Sequence, residues 1–312
     1  MKELFRRHSQ NPIIKVADIP YRINSVFNAG ATLIGDETLL LMRVEDRRGI
    51  SHLTVARSKN GVTDWEIEPA PTLMPDPENY PEEKWGIEDP RITYIDELGV
   101  WAILYTSYSK GGPLVSLAVT KNFKSFHRKG ALMPPEDKDA ALFPEKFNGR
   151  WAMLHRPTST FADTGAHIWI SFSPDLKYWG EHQLLIPARR GSWWDANKIG
   201  LSPPPLKTEK GWLILYHGVK STASGCIYRL GSALLELDNP TKVIARSQEW
   251  IFAPQENYEV LGDVDKVVFP CGWIAQGDEV RLYYGGADKC IALAIANLSE
   301  LLEWTLAQGK KE

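Results

Sequence analysis

One carboxyl and four basic side chains define the chemistry this sequence can support. Asp89 lies in Trp85-Gly86-Ile87-Glu88-Asp89-Pro90-Arg91, just before the alternating run Ile92-Thr93-Tyr94-Ile95. Pro90 biases Asp89 toward extended backbone, so Asp89 is expected at the mouth of a strand, where functional groups tend to sit. Taken alone, Asp-Pro is also a common turn opener, and capping a turn is the simplest role for Asp89. Lys138, Arg156, Lys198 and His217 are far apart in the chain, each beside an apolar run. If folding brings them together, their charges repel unless an anion joins them. Phosphate suits such a site, because arginine grips it with two parallel donors and lysine adds a point charge. Each also has a plainer reading. Lys138 can lie at the surface, Arg156 and Lys198 can pair with Asp139 and Asp195, and His217 can be a satisfied core histidine.

The other expected half of the site is acidic or neutral: Asn28, Asp89 and Asp288, with Trp85 and Tyr105 nearby, and Arg43 is placed at the same mouth. Carboxylates, an amide and an aromatic face are what a sugar ring needs. A hydrolase that inverts a glycosidic bond uses two carboxylates, one as acid and one to activate water. A phosphate nucleophile needs no base, and cations that hold and orient it replace the second carboxylate. One acid beside a cation cluster therefore reads as phosphorolysis.

Five copies of one unit must position these residues. Leu40-Leu41-Met42-Arg43, Ile103-Leu104-Tyr105-Thr106, Met153-Leu154-His155-Arg156, Ile214-Leu215-Tyr216-His217 and Leu282-Tyr283-Tyr284-Gly285 recur every 50 to 68 residues. Each suits a buried strand. Before each lies a strand-like segment and a polar turn: Ala29–Ile34, Arg91–Ile95, Leu142–Phe147, Pro204–Leu206 and Val268–Ala275. After each comes a third strand, and in most copies a fourth. Four antiparallel strands per unit, five times over, predict an all-β, five-bladed β-propeller in a single domain over residues 1–312. A β-sandwich is the competing architecture. The N-terminal thirty residues are expected to supply a strand that closes the ring. Ser299–Leu306 reads as a short C-terminal helix capped by Ser299 or Asn297, and Asp18–Asn24 as a single turn.

Bulk properties narrow the function classes. A net charge of −3 gives no basic patch for nucleic acid. Three cysteines without CxxC spacing argue against a disulfide framework or a zinc site, and no cofactor is expected. The start of the chain has no signal-peptide core and no run approaches a membrane span, so a cytoplasmic enzyme is expected. Exposed aromatics near the N-terminus and the C-terminal helix could support a homo-oligomer.

The chain resembles the mannoside phosphorylases of glycoside hydrolase family 130 from about Asn11 to Ala296. The motifs are Glu88-Asp89-Pro90-Arg91, Lys138-Asp139-Ala140-Ala141-Leu142-Phe143-Pro144-Glu145-Lys146, His155-Arg156-Pro157, Lys198-Ile199-Gly200, Tyr216-His217-Gly218-Val219, and Tyr283-Tyr284-Gly285 to Asp288. The resemblance implies cleavage of a β-mannoside by inorganic phosphate as co-substrate, with inversion, giving α-D-mannose 1-phosphate and a shortened acceptor. It implies that Asp89 is the proton donor, acting through the mannose 3-hydroxyl. Lys138, Arg156, Lys198 and His217 fall on phosphate-binding positions. Asn28, Arg43 and Asp288 fall on positions that hold the mannosyl ring, and Arg48, in the loop after Arg43, is carried over with them. The sequence departs from the family pattern at Ser202, often glycine, and at Gly286 and Lys289. A β-mannosidase using water and a non-catalytic sugar-binding propeller are the alternatives.

Overall fold

The computed structural model describes residues 3–158 and 165–309, which form five antiparallel sheets arranged as the blades of a β-propeller. Blade 1 contains Ser25–Ile34, Glu37–Glu45, Ser51–Ser58 and Glu66–Ile67, and blade 2 contains Ile87–Ile95, Val100–Ser109, Gly112–Thr120 and His127–Ala131. Blade 3 contains Asp137–Leu142, Trp151–Pro157, Ile168–Ser173 and Gly180–Ile186. Blade 4 is built on Lys198–Leu201, Gly211–Thr222, Gly225–Leu235 and Val243–Arg246, with Leu206–Thr208 also paired to its second strand. Blade 5 contains Val268–Gln276, Glu279–Gly286 and Cys290–Asn297, and its outermost strand is the N-terminal Arg6–Arg7. Arg6 pairs with Ile295, so the first strand of the chain completes the last blade.

The ring holds because each pair of neighbouring blades buries its own apolar cluster. Leu41, Leu53, Ile92 and Ile103 join blades 1 and 2, and Leu104, Leu117, Leu142 and Met153 join blades 2 and 3. Leu154, Ile170, Ile199 and Ile214 join blades 3 and 4, and Leu215, Leu230, Leu282 and Ala292 join blades 4 and 5. Met42, Ile274, Tyr283 and Leu293 close the circle between blades 5 and 1. Fully burying one such side chain contributes about 1.5–3 kcal/mol.

The inner strands begin earlier than the sequence pattern suggests, and this matters for the site. Blades 1, 2 and 3 start at Ser25, Ile87 and Asp137, not at Ala29, Arg91 and Leu142. Each is interrupted by a register shift: Phe27/Gly30 in blade 1, Glu88/Arg91 in blade 2 and Lys138/Ala141 in blade 3. At these three bulges Asn28, Asp89 and Asp139 have φ of 46°, 52° and 53°. Asn and Asp tolerate that left-handed backbone better than other residues with a Cβ. The bulge breaks the alternating pattern, so periodicity alone placed the strand after it. In blade 4 the inner strand is Lys198–Leu201, and Pro203-Pro204-Pro205 separates it from Leu206–Thr208. Prolines lack the N–H that a ladder requires, which explains why the expected start at Pro204 is wrong.

The C-terminal helix spans Leu298–Gln308. Asn297 holds the N-cap position, as expected, but its side chain makes no capping hydrogen bond, and Asp278 from the blade 5 hairpin satisfies the first turn instead. Asp278 Oδ1 accepts from the Ser299 backbone N–H at 2.7 Å, and its Oδ2 accepts from the Ser299 hydroxyl at 2.9 Å. The single turn expected at Asp18–Asn24 instead lies just before it, as a 3-10 helix at Val16–Asp18, and a four-residue helix, Asn257–Val260, had no clear signal.

Candidate active site

Asp89 is buried at the bulge of the blade 2 inner strand. Its Oδ1 accepts from Asn28 Nδ2 at 2.8 Å and from Arg43 at 3.1 Å, and its Oδ2 lies 3.9 Å from Lys138 Nζ. Burial alone would raise this carboxyl. Arg43, Lys138, Arg91 and the Asn28 hydrogen bond outweigh it and hold Asp89 below the ordinary carboxylate range. Arg43 is itself fixed. It donates to the Ser51 hydroxyl at 2.9 Å, pairs with Glu88 at 3.1 Å and lies over the Phe27 ring at 4.5 Å.

Asp288 follows Gly285-Gly286 in a left-handed turn with φ 53°. Burial pushes its carboxyl up to about 7. Arg43 pulls the other way, while Asp89 and Glu88 add to the rise. Asp89 is therefore held as the anion, while Asp288 titrates near neutral pH. Gly285 provides space for this half of the site, since a Cβ there would strike Asn28 Oδ1.

The basic half is centred on an anion. Asp139, buried at the blade 3 bulge, has Oδ2 2.8 Å from Arg156 Nε and 3.4 Å from His217 Nε2, and its Oδ1 accepts from Arg91 at 3.3 Å. The Arg156 contact is a close ion pair whose N–H is not aligned for a hydrogen bond. Burial opposes the charge on Asp139, but Arg156 and its other partners outweigh it and hold the carboxyl well below its usual range. Burial also pushes the His217 imidazole down to about 4, so it is neutral at pH 7. Lys198 is lowered by burial and by the neighbouring Arg156 and Lys138, and it lies over the Tyr228 ring at 5.7 Å. The expected cluster of four unbalanced charges is thus corrected to three cations, one internal carboxylate and a neutral imidazole. Arg156 pairs with Asp139 as weighed above. Asp195 is instead taken by Arg189 at 2.9 Å and Arg246 at 2.8 Å, not by Lys198.

The halves are contiguous. Lys138 contacts Asp89 and is the register partner of Arg156. Arg91, fully buried, ties them together. It donates to the Asp89 carbonyl at 3.0 Å, to Asp139, and to the blade 4 carbonyls of Leu201 at 3.1 Å and Ser202 at 3.1 Å. The Ser202 hydroxyl also lies 3.4 Å from His217 Nδ1. Asp137 supports Arg156 from behind: its Oδ1 accepts from the Arg156 backbone N–H at 3.1 Å and its Oδ2 lies 2.6 Å from His155.

Two expected residues are not brought in. Tyr105 is buried between blades 1 and 2 and donates to Glu83 at 2.7 Å. It has the strand parity of Ile103, which faces blade 1, so its ring is core. Arg48 is 72 % exposed at a hairpin tip, bound to Asp46 Oδ2 at 2.7 Å. Asp46 also accepts the backbone N–H groups of Arg48 and Ile50, so a local turn determines the direction of that side chain. Asp139 entered the sequence reading only as an ion-pair partner for Arg156, and Arg91 only as part of the Glu88-Asp89-Pro90-Arg91 motif. The signal that could have found Asp139 is its place in the unit, matching Asn28 and Asp89.

The protein-family model described as beta-1,4-mannooligosaccharide phosphorylase matches residues 3–307. The chain is 33 % identical to the beta-1,4-mannooligosaccharide phosphorylase of Ruminococcus albus, over 97 % of this chain and 91 % of that one. It is 35 % identical to the 1,2-beta-oligomannan phosphorylase of a Thermoanaerobacter species, over 95 % and 98 %. Among solved structures, the beta-1,2-mannobiose phosphorylase of Listeria innocua, in complex with beta-1,2-mannobiose, superposes with a TM-score of 0.88 at 30 % identity, covering 97 % of this chain and 99 % of that one. A blade count of five, an acid joined to a basic pocket and matches along nearly the whole length agree, and the chain belongs to glycoside hydrolase family 130.

Proposed function

We propose that the chain cleaves a β-mannosidic bond with inorganic phosphate, inverting the anomeric carbon to give α-D-mannose 1-phosphate and a shortened acceptor. The observation that carries this reading is the contact of Asp89 with Lys138, whose register partner is Arg156. Asp89 is thus contiguous with the cationic group that would hold phosphate. In this reading Asn28, Arg43 and Asp288 hold the mannosyl ring, and Lys138, Arg156, Lys198 and His217 hold phosphate. The phosphate oxygen forms the new bond to C1 as the bond to the leaving oxygen breaks; the mannose 3-hydroxyl passes its proton to that oxygen and takes one from Asp89. Hydrogen phosphate supplies the proton that resets Asp89. Phosphate also prepares the acid. In the free site Lys138 helps to keep Asp89 ionised. A bound anion draws on that lysine and adds negative charge beside Asp89, which raises the carboxyl toward the proton it must donate.

The reading favours phosphate over water for a physical reason. The carboxylate on the basic side is Asp139, engaged by Arg91 and Arg156 and held well below its usual range. Such a group is a poor base for activating water. The relatives named above act on 1,4 and 1,2 linkages at similar identity, so the proposal covers the β-mannosidic bond without choosing between them. The chain works as one catalytic domain, and we place it in the cytoplasm, where phosphate is abundant and a sugar phosphate is retained. The test is the reverse reaction. Offered α-D-mannose 1-phosphate and a panel of mannose, glucose, N-acetylglucosamine and mannobiose, the enzyme should release phosphate and form a β-mannoside with at least one acceptor. No phosphate release with any of them would overturn the proposal.

A further inference from the structure

Trp85 and Tyr108 form an aromatic pair in the open at the mouth of blade 2, 43 % and 38 % exposed. Their ring centroids are 5.4 Å apart at 72°, edge to face. Among the other exposed rings, Trp193 lies under Arg189 at 4.4 Å and Tyr178 under Lys177 at 5.1 Å, while Tyr94 packs on Trp101 at 4.9 Å. Trp85 and Tyr108 are both partly open to solvent. They are also held firmly. The Trp85 N–H donates to the Tyr108 carbonyl at 2.8 Å, and the Tyr108 N–H donates to the Gly86 carbonyl at 3.1 Å. Gly86, with φ 121°, packs on the Ser51 backbone so closely that a Cβ would lie 2.8 Å from Ser51 N. The Ser51 hydroxyl in turn accepts from Arg43, which binds Asp89. The pair is thus built onto the same rigid corner as the acid.

We propose that Trp85 and Tyr108 form a distal carbohydrate subsite, stacking against a sugar ring of the acceptor portion of an oligosaccharide beyond the ring next to the cleaved bond. This rests on the reading of the site as a β-mannoside phosphorylase. Trp85 is four chain steps from Asp89, a reach of at most about 14 Å. An oligosaccharide cleaved beside Asp89 can span that distance. Rigid, amphipathic rings bind the C–H face of a pyranose with little loss of side-chain freedom. The subsite would favour longer substrates over disaccharides.

The test compares the parent with Trp85→Ala, Tyr108→Ala and Trp85→Phe in phosphorolysis of β-mannobiose and of β-mannotetraose of the linkage that the parent cleaves. For the two alanine variants the KM for the tetraose should rise about five- to tenfold, with kcat and the KM for mannobiose within about twofold. Trp85→Phe should recover most of the loss. Equal losses on both substrates would mean a purely structural corner, and no loss on the tetraose would mean no subsite; either overturns the proposal. Uniform kinetics with a smaller assembly on size-exclusion chromatography would assign the pair to a subunit interface and overturn it as well. Trp fluorescence titrated with β-1,2- and β-1,4-mannotetraose, against mannose as control, separates this inference from the reaction. A tetraose response lost in Trp85→Phe supports the subsite even if no phosphorolysis is seen. Phosphorolysis without any such response overturns the subsite alone.

Discussion

Two carboxyls of the same site are shifted in opposite directions by their surroundings. Asp89 is surrounded by Arg43, Asn28 and Lys138, while burial pushes Asp288 up to about 7. Replacing the acid, Asp89→Asn, keeps the shape but removes the proton, and kcat should fall by about 10²-fold or more, the scale of general acid catalysis. A rate within tenfold of the parent would remove Asp89 from that role. Asp288 gives a stability prediction with a definite sign. Between the ordinary value of 3.8 and about 7, the folded form keeps a proton that the unfolded chain has released. Stability from this group therefore falls as pH rises through that window. Asp288→Asn removes the penalty, so its thermal midpoint should exceed that of the parent at pH 8 and approach it near pH 4. An Asp288→Asn midpoint lower than the parent's at pH 8 would refute the sign. At this scale Asp89, Asn28 and Asp288 were legible from residue type and position in the repeat. Tyr105 and Arg48 were not, because one is decided by strand parity and the other by a four-residue turn. Arg91 was legible only as a polar neighbour of Asp89; its linking role was not, since its four partners come from three blades.

The elements act through their irregularities. Three inner strands carry a left-handed Asn or Asp at the same place, and the bulge turns that side chain toward the site. Two glycines keep the room these groups use. A Cβ on Gly200 would strike Asp139 Oδ2 and lie 2.7 Å from His217 Nε2, whereas one on Gly285 would strike Asn28 Oδ1. Gly200→Ala should therefore raise the KM for phosphate well above its effect on the mannoside. Gly285→Ala should do the reverse, each at a cost of about 1–3 kcal/mol in stability. Steady-state kinetics with each substrate varied in turn checks this, and identical effects of the two variants would contradict the division into halves. Strand existence and order were readable because buried runs repeat in all five units. Strand starts were not, since a bulge inverts the alternation on which such a reading depends.

At the scale of the whole molecule, the ring closes through its first and last segments. Arg6–Arg7 is the outer strand of blade 5, and Leu4 and Phe5 are buried between blades 4 and 5. Arg7 adds a pair with the buried Glu259 at 2.8 Å. Phe5→Ala should cost about 3–5 kcal/mol, the usual range for a buried phenylalanine. A denaturation midpoint equal to the parent's would show that the N-terminal segment does not hold the ring. The five-blade count was legible from the sequence because the unit is repeated. The closure by Arg6–Arg7 was foreseen only as a strand somewhere in the first thirty residues, since two residues carry no periodicity. The ring matters for function because it brings an acid from blade 2 against cations from blades 3 and 4. The most direct test is to incubate the protein with β-1,2- and β-1,4-mannooligosaccharides, with and without inorganic phosphate, and follow the products by ³¹P and ¹H nuclear magnetic resonance. The account predicts α-D-mannose 1-phosphate, formed only when phosphate is present and greatly reduced in Arg156→Ala. Free mannose released at the same rate without phosphate would contradict it.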